Sequence, residues 1–329
     1  MNNNTRSRSA VKPPTSPNVA NDSGIGEKEA KVLRSQSERL RHFMLFFVGL
    51  LFTAYLVANQ EEQTHIHSPV SPAIAVDSGD IGPSEQDLQR KVDELDAQVR
   101  DYKSRPDVIM ETDSEGLKLT KELQQATHRL LVKRYGQHTF GVRVDVTFPE
   151  IITTSDGLPA SDYIVIELAP IDLIPCSVYN FLEIARTWKS GAFHRNADHV
   201  LQVAAHSEVT KSMPFQEYSK EYPHKKWTTG YAGRPSGPGW YVSIRDNTIN
   251  HGPGSQQEKN PYEADSLFGR VVRGIDDVVP RIHSTPQKGW LDKPNQIRIP
   301  KMTILIKQGE DDWVQWAPSE TETKLAVDR

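Results

Sequence analysis

The spacing of apolar residues changes character three times along this chain, and each change marks a different kind of segment. From Phe43 to Ala58 the run FMLFFVGLLFTAYLVA is apolar without a charge or a polar face. As a helix it would rise about 24 Å at 1.5 Å per residue, which suits a thin bilayer. From Ser84 to Tyr102 the apolar positions Leu88, Val92, Leu95, Val99 and Tyr102 alternate steps of four and three. That is a short heptad seam, with Ser84 as N-cap and Asp87 as a first-turn carboxylate. It fits a weak coiled coil, pairing two copies through residues 84–102, as well as it fits a helix packed on its own domain. A second amphipathic helix is predicted from Leu117 to Tyr135, with Leu119, Leu123, Ala126, Leu130 and Leu131 on its apolar side and Gly136 as its stop.

After Gly136 the period falls to two. FGVRVDVTF (Phe140 to Phe148) and YIVIELAP (Tyr163 to Pro170) predict strands around a turn tipped by Asp156-Gly157. Pro175 opens a helix with Val178, Phe181, Leu182 and Ala185 on its buried face, and Gly191 is read as its end. A Gly- and Pro-rich loop from Gly230 to Gly239 precedes a strand from Trp240 to Ile244. Strand LFGRVV, a short helix near Ile275 to Ile282 and strand QIRIPKMTILIKQ complete the series. Many strands with two isolated helices predict a mainly β domain over residues 138–308, a closed antiparallel barrel capped by two helices.

Charge orders the flanks. Residues 1–42 hold eight Lys or Arg, whereas Glu61, Glu62, Asp77 and Asp80 follow the apolar run and no Lys or Arg appears until Arg90. The positive-inside rule makes 1–42 a disordered cytosolic tail and 43–59 a transmembrane signal anchor, with 60–83 a flexible stalk and 84–135 a helical or coiled-coil segment. The expected protein is single-pass, type II, with its barrel in the lumen of the ER or Golgi. A cleaved signal peptide, cut after Ala54 or Ala58, is the alternative. Residues 309–329 are read as a solvated polar tail.

Composition mainly excludes. A net charge of -4 argues against a nucleic-acid partner, and a single cysteine, Cys176, rules out an internal disulfide and any multi-cysteine zinc site. Cys176 stands at a helix start, where a thiol pKa can fall, although a lone thiol among apolar neighbours is more often packing. His65 and His67 in the stalk do not amount to a metal site.

The stretch GAFHRNADHVLQVAA, Gly191 to Ala205, sets a cation at the mouth of a small apolar strand. Taken alone, Arg195 could snorkel into water and Gln202 could satisfy an edge strand. In order with the rest, the segments carry more. YIVIELAP…IPCSVYNFLEIA, GAFHR, HVLQ, GPGWYVSI, the Gly254-Ser255-Gln256 turn and LFGRVVRGIDDVVPRI together resemble the cyclophilin family of peptidyl-prolyl cis-trans isomerases over nearly all of 138–308. The resemblance implies a proline-peptide isomerase needing neither cofactor nor metal. It implies Arg195 as the cation near the prolyl nitrogen and Gln202 as the group fixing its geometry, with Phe193, His194, His199, Val200 and Gln256 lining the substrate groove.

The chain departs from the family's pattern where the proline ring is gripped. His199 and Val200 stand for an aromatic and a Met, and Gln257, Glu258 and Lys259 replace an aromatic strand. Asp265 falls near a position that is His in the family, and the similar Trp290-Leu291-Asp292 lies beyond the last helix and is given no role. Each missing ring removes roughly 1.5–3 kcal/mol of apolar burial. Two functions follow as expectations: a membrane-anchored isomerase acting on secretory-pathway proteins, or a weak or inactive cyclophilin-like binding or scaffold module. A Golgi glycosyltransferase would share the topology, but the expected lumenal part has no Asp-x-Asp motif.

Overall fold

The computed structural model describes residues 82–256, 260–310 and 312–318, which belong to one compact unit starting at Asp80. The expected tail, anchor and nearly all of the stalk lie outside the described residues. Among the described residues no helix is long and apolar enough to cross a membrane.

Helices α1 (Glu85–Lys103) and α2 (Ser114–Tyr135) form an antiparallel hairpin. Ser84 Oγ accepts from the Asp87 N–H at 3.1 Å, closing the first turn of α1 as its sequence predicts. The seam residues Leu88, Val92, Leu95 and Val99 are buried in one core with Leu119, Leu123, Ala126, Leu130 and Leu131 of α2. The heptad pattern is therefore consumed within the chain, and a coiled coil pairing two copies through 84–102 would need that seam twice. Nor is 84–135 a separate segment. Arg134 Nη1 and the Tyr135 hydroxyl donate to Glu183 Oε1 at 2.8 and 2.6 Å, fastening the hairpin to the helix beside the barrel.

The strands are β1 (Phe140–Thr147), β2 (Ser161–Leu168), β3 (Ser190–Asn196), β4 (Val200–His206), β5 (Thr228–Tyr231), β6 (Trp240–Ser243), β7 (Leu267–Arg273), β8 (Gly289–Trp290), β9 (Ile297–Lys307) and β10 (Trp313–Gln315). Their order β9-β1-β2-β7-β5-β6-β4-β3 closes through antiparallel pairing of β3 with β9, giving an eight-stranded barrel. Four short or medium helices join them: α3 (Glu150–Asp156), α4 (Pro175–Arg186), α5 (Thr248–His251) and α6 (Val278–His283). The apolar face of α4 is the one its 3.6-residue spacing predicts, and Phe181 stacks on Phe268 of β7 at 3.8 Å while meeting Trp240 edge-on. Helix α6 buries Val278, Val279 and Ile282 and packs on β2.

Three local expectations change. The segment read as a turn at Asp156-Gly157 is the end of helix α3, capped by the Gly157 N–H on Thr153 O. Helix α4 stops at Arg186, and Gly191 lies inside β3. The reason for glycine there is steric: a Cβ at 191 would sit 2.4 Å from the Trp188 ring, which crosses the strand and donates its Nε1–H to Ile299 O. The chain beyond 308 is not a solvated tail up to residue 318. β10 pairs with β9, and Trp316 packs on Tyr135 at 4.9 Å and donates to its carbonyl. Two indoles in a polar segment are enough apolar surface to dock it.

Candidate functional site

Along β4, Leu201 and Val203 point into the barrel core, so Gln202 faces outward. Its neighbour β3 would not present Arg195 on that face if it alternated regularly from the buried Phe193. A bulge intervenes: Phe193 pairs with Val203 but Arg195 pairs with Gln202, two steps on one strand against one on the other. The extra residue, His194, re-aims Arg195 to the outside. Arg195 Nη1 then donates to Gln202 Oε1 at 3.1 Å. No carboxylate pairs with this guanidinium among the described residues, and it is only half-buried.

Directly opposite residues in an antiparallel pair share a face. Register therefore extends the row on both sides, with Trp290 of β8 opposite Arg195 and Tyr241 of β6 opposite Gln202. The outer wall thus carries one rung, Trp290–Arg195–Gln202–Tyr241. At one end the Arg195 guanidinium lies 5.4 Å from the Trp290 ring centroid. At the other, Tyr241 is buried beneath His251 of α5 at 4.8 Å, and His199 stacks on His251 at 5.4 Å.

Behind His251 lies a buried ion cluster. Its Nδ1–H donates to Asp265 Oδ2 at 2.6 Å, and Arg234 Nε donates to Asp265 Oδ1 at 2.7 Å. The anion that sequence places where a neutral ring would be expected is therefore matched by two donors and does not open onto the outer wall. Burial depresses the His199 imidazole, and His251, Arg195 and Arg245 add to this; burial and then Arg195 do the same for His194. His224, whose Nε2 bonds the Asp265 carbonyl at 3.0 Å, is pushed down to about 4 by burial.

The predicted site residues separate accordingly. Arg195 and Gln202 meet. His194 sits beside them, its ring 5.2 Å from Trp290. His199 belongs to the imidazole stack next to Gln202. Phe193 is 1% exposed and packs edge-on against Trp240, so it is a barrel-core residue with no surface for a substrate. Val200 is also buried. Gln256 is turned to α5, donating to Asn250 O at 2.9 Å, and does not join the rung. Cys176 is buried with its thiol pushed well up by burial and by Glu217, against the lowering a helix start would give. Trp290, Tyr241 and His251 were not foreseen in these roles. The only signal for Trp290 was the string Trp-Leu-Asp itself, set aside because of its place in the chain.

No protein-family model matches this chain, and no curated protein sequence matches it. Solved structures that are similar in part include the following two. One is a cyclophilin-type peptidyl-prolyl cis-trans isomerase of Cryptosporidium parvum, 15% identical, covering 51% of this chain and 98% of its own, with a TM-score of 0.35. The other, described as that type of isomerase from the same organism in the presence of the dipeptide Ala-Pro, is 14% identical, covers 51% and 99%, and has a TM-score of 0.33. At that distance the site's chemistry has to stand on this chain's own residues.

Proposed function

We propose that this chain is a divergent cyclophilin-like peptidyl-prolyl cis-trans isomerase with Arg195 as its cation. The observation that carries the reading is the half-exposed Arg195 guanidinium, aimed outward by a bulge, held by Gln202 at 3.1 Å and paired with no carboxylate among the described residues. A prolyl amide resists rotation because its C–N bond is partly double, with a barrier of about 18–20 kcal/mol. Twisting the bond frees the nitrogen lone pair, and a fixed donor there stabilises the twisted state more than the planar one. Gln202 pre-sets the guanidinium, so little reorganisation is left for the moment of reaction.

The test is proline-peptide isomerisation by the full chain in non-ionic detergent, with Arg195→Ala beside it. The hairpin shares the barrel's core, so the whole chain is used. Catalysis by the parent and none by Arg195→Ala is expected; equal rates at the uncatalysed level refute the reading. A binding or scaffold module is the second reading. It is favoured by the imidazole stack over Tyr241, which leaves that end of the rung without an open apolar pocket.

The setting we propose is a type II membrane protein, anchored through 43–58, with its barrel in the ER or Golgi lumen and proline-containing secretory polypeptides as substrates. The charge asymmetry around the apolar run supports it. Protease added to intact microsomes should trim the N-terminal tail and spare the barrel; loss of the barrel epitope overturns the topology.

A further inference from the structure

The six tryptophans of this chain are all within the described residues, and only one is exposed: Trp290, at 64%. An indole left in water forfeits more apolar burial than almost any other side chain. This one is not at a loose loop tip. Gly289, at φ 75°, turns the chain into β8, where Trp290 pairs with Arg195 in register. The next residue locks the strand, since the Leu291 N–H donates to His194 O at 2.8 Å and the Leu291 side chain is buried. One residue further, the Asp292 N–H donates to Gln287 Oε1 at 3.0 Å, and Gln287 Nε2 returns a bond to Asp292 Oδ2 at 3.1 Å. The backbone beneath the ring is fixed on both sides while the ring itself stays open.

Its surroundings specify the chemistry of what it meets. Beside the indole are a guanidinium at 5.4 Å and, beyond that, the Gln202 amide. Apolar ring, cation and amide thus follow one another along one rung. Proline segments dock on aromatic faces because their ring is apolar and pre-set in shape, while donors beside the ring take their carbonyls. The opposite end of the rung is closed, with Tyr241 and His251 both buried. We infer that Trp290 is the proline-gripping surface of this site, the substrate's pyrrolidine ring lying on the exposed indole face with its imide bond over Arg195. The inference rests on the proposed isomerase reading. It adds that the grip comes from the strand after the last helix rather than from the segment around His199 and Gln256.

The experiment uses the full chain in detergent and the probe acetyl-Ala-Ala-Pro-Ala-amide, with acetyl-Ala-Ala-Gly-Ala-amide as control. Binding is read by the shift of the Trp290 indole N–H resonance, assigned by its loss in Trp290→Phe, and by titration of each variant; turnover is read separately. The expected result is binding of the proline peptide only, weakened about tenfold or more in Trp290→Ala and within about threefold in Trp290→Phe, with unchanged thermal melts. An exposed ring can be replaced without unfolding the barrel, so the melt separates misfolding from lost grip. Trp290→Ala binding and turning over like the parent, while Arg195→Ala loses turnover, overturns the role of Trp290 and leaves the isomerase intact. Trp290-dependent binding without turnover in any variant supports the grip and sinks the isomerase. Equal binding of the proline and glycine peptides overturns the inference as well.

Discussion

Removing Arg234 should destabilise the fold far more than removing an ordinary arginine. Its side chain is 4% exposed and that of Asp265 is 3% exposed, so neither charge is solvated. Besides the 2.7 Å bond to Asp265 Oδ1, Arg234 donates to the Ser255 carbonyl, to Ser255 Oγ at 2.9 Å and to His251 O at 3.3 Å. Arg234→Leu strands Asp265 Oδ1, while Oδ2 keeps the His251 Nδ1–H at 2.6 Å and a long contact from the Tyr241 hydroxyl at 3.5 Å. Breaking a buried pair from one side costs about 3–5 kcal/mol. The surviving His251 bond puts this case at the low end, about 3 kcal/mol. For a domain of this size each kcal/mol moves the melting temperature by about 2–4 °C, so a fall of roughly 6–12 °C is expected. Asp265→Leu should cost a similar amount, by leaving a buried guanidinium without its anion. The double variant Arg234→Leu/Asp265→Leu removes both charges and should cost no more than either single, giving a coupling of about 3 kcal/mol in a double-mutant cycle. The assay is denaturant unfolding of the four proteins followed by near-UV circular dichroism. Single variants within about 0.5 kcal/mol of the parent, or a double variant equal to the sum of the singles, would refute the reasoning.

Other consequences can be checked in the same preparation. Gly141→Ala places a Cβ 2.6 Å from the Trp313 ring, so β10 must shift; a loss of about 1–3 kcal/mol and a red-shifted Trp313 emission are expected, and an unchanged spectrum would mean that β10 is not docked. Phe193→Ala should cost about 3–5 kcal/mol as a core cavity while the folded fraction keeps its peptide affinity within a few-fold; a selective loss of affinity would return Phe193 to the substrate groove. His224 titrates near 4 when folded, below its ordinary 6.5, because burial disfavours its cation. Its contribution is therefore fully present above pH ~6.5 and lost as pH falls towards 4, about 3 kcal/mol in all, and His224→Gln should flatten that part of the stability–pH curve.

The parts of the fold visible in the sequence are those that one-dimensional periodicity encodes. The apolar face of α4, the alternation of β1 and the Ser84 cap follow from local spacing, and the structure has them where the pattern puts them. The heptad seam of α1 was equally readable, but not what would cover it, because α2 and the α1 seam of a second copy are both apolar enough to do so. Helix α3 was missed because its seven residues include two threonines and a serine, poor helix formers that tertiary context overrides. The docking of Trp313 and Trp316 was hidden by the acidic, polar residues around them.

The candidate site divides along the same line. Arg195 and Gln202 lie seven residues apart on neighbouring strands of one hairpin, so a motif written along the chain holds both. Phe193 stands in the same motif two residues before Arg195. Strict alternation would have put both on one face; a single bulged residue, His194, sends one into the core and the other to the surface. Trp290 lies 95 residues beyond Arg195 and reaches it only through the pairing of β8 with β3. Sequence order could supply the cation and its amide, but the third member of the rung is a product of sheet register. Sheet register can therefore set an aromatic beside a cation whose own segment does not supply one. For that reason the replacements at His199, Val200 and residues 257–259 do not by themselves decide against turnover.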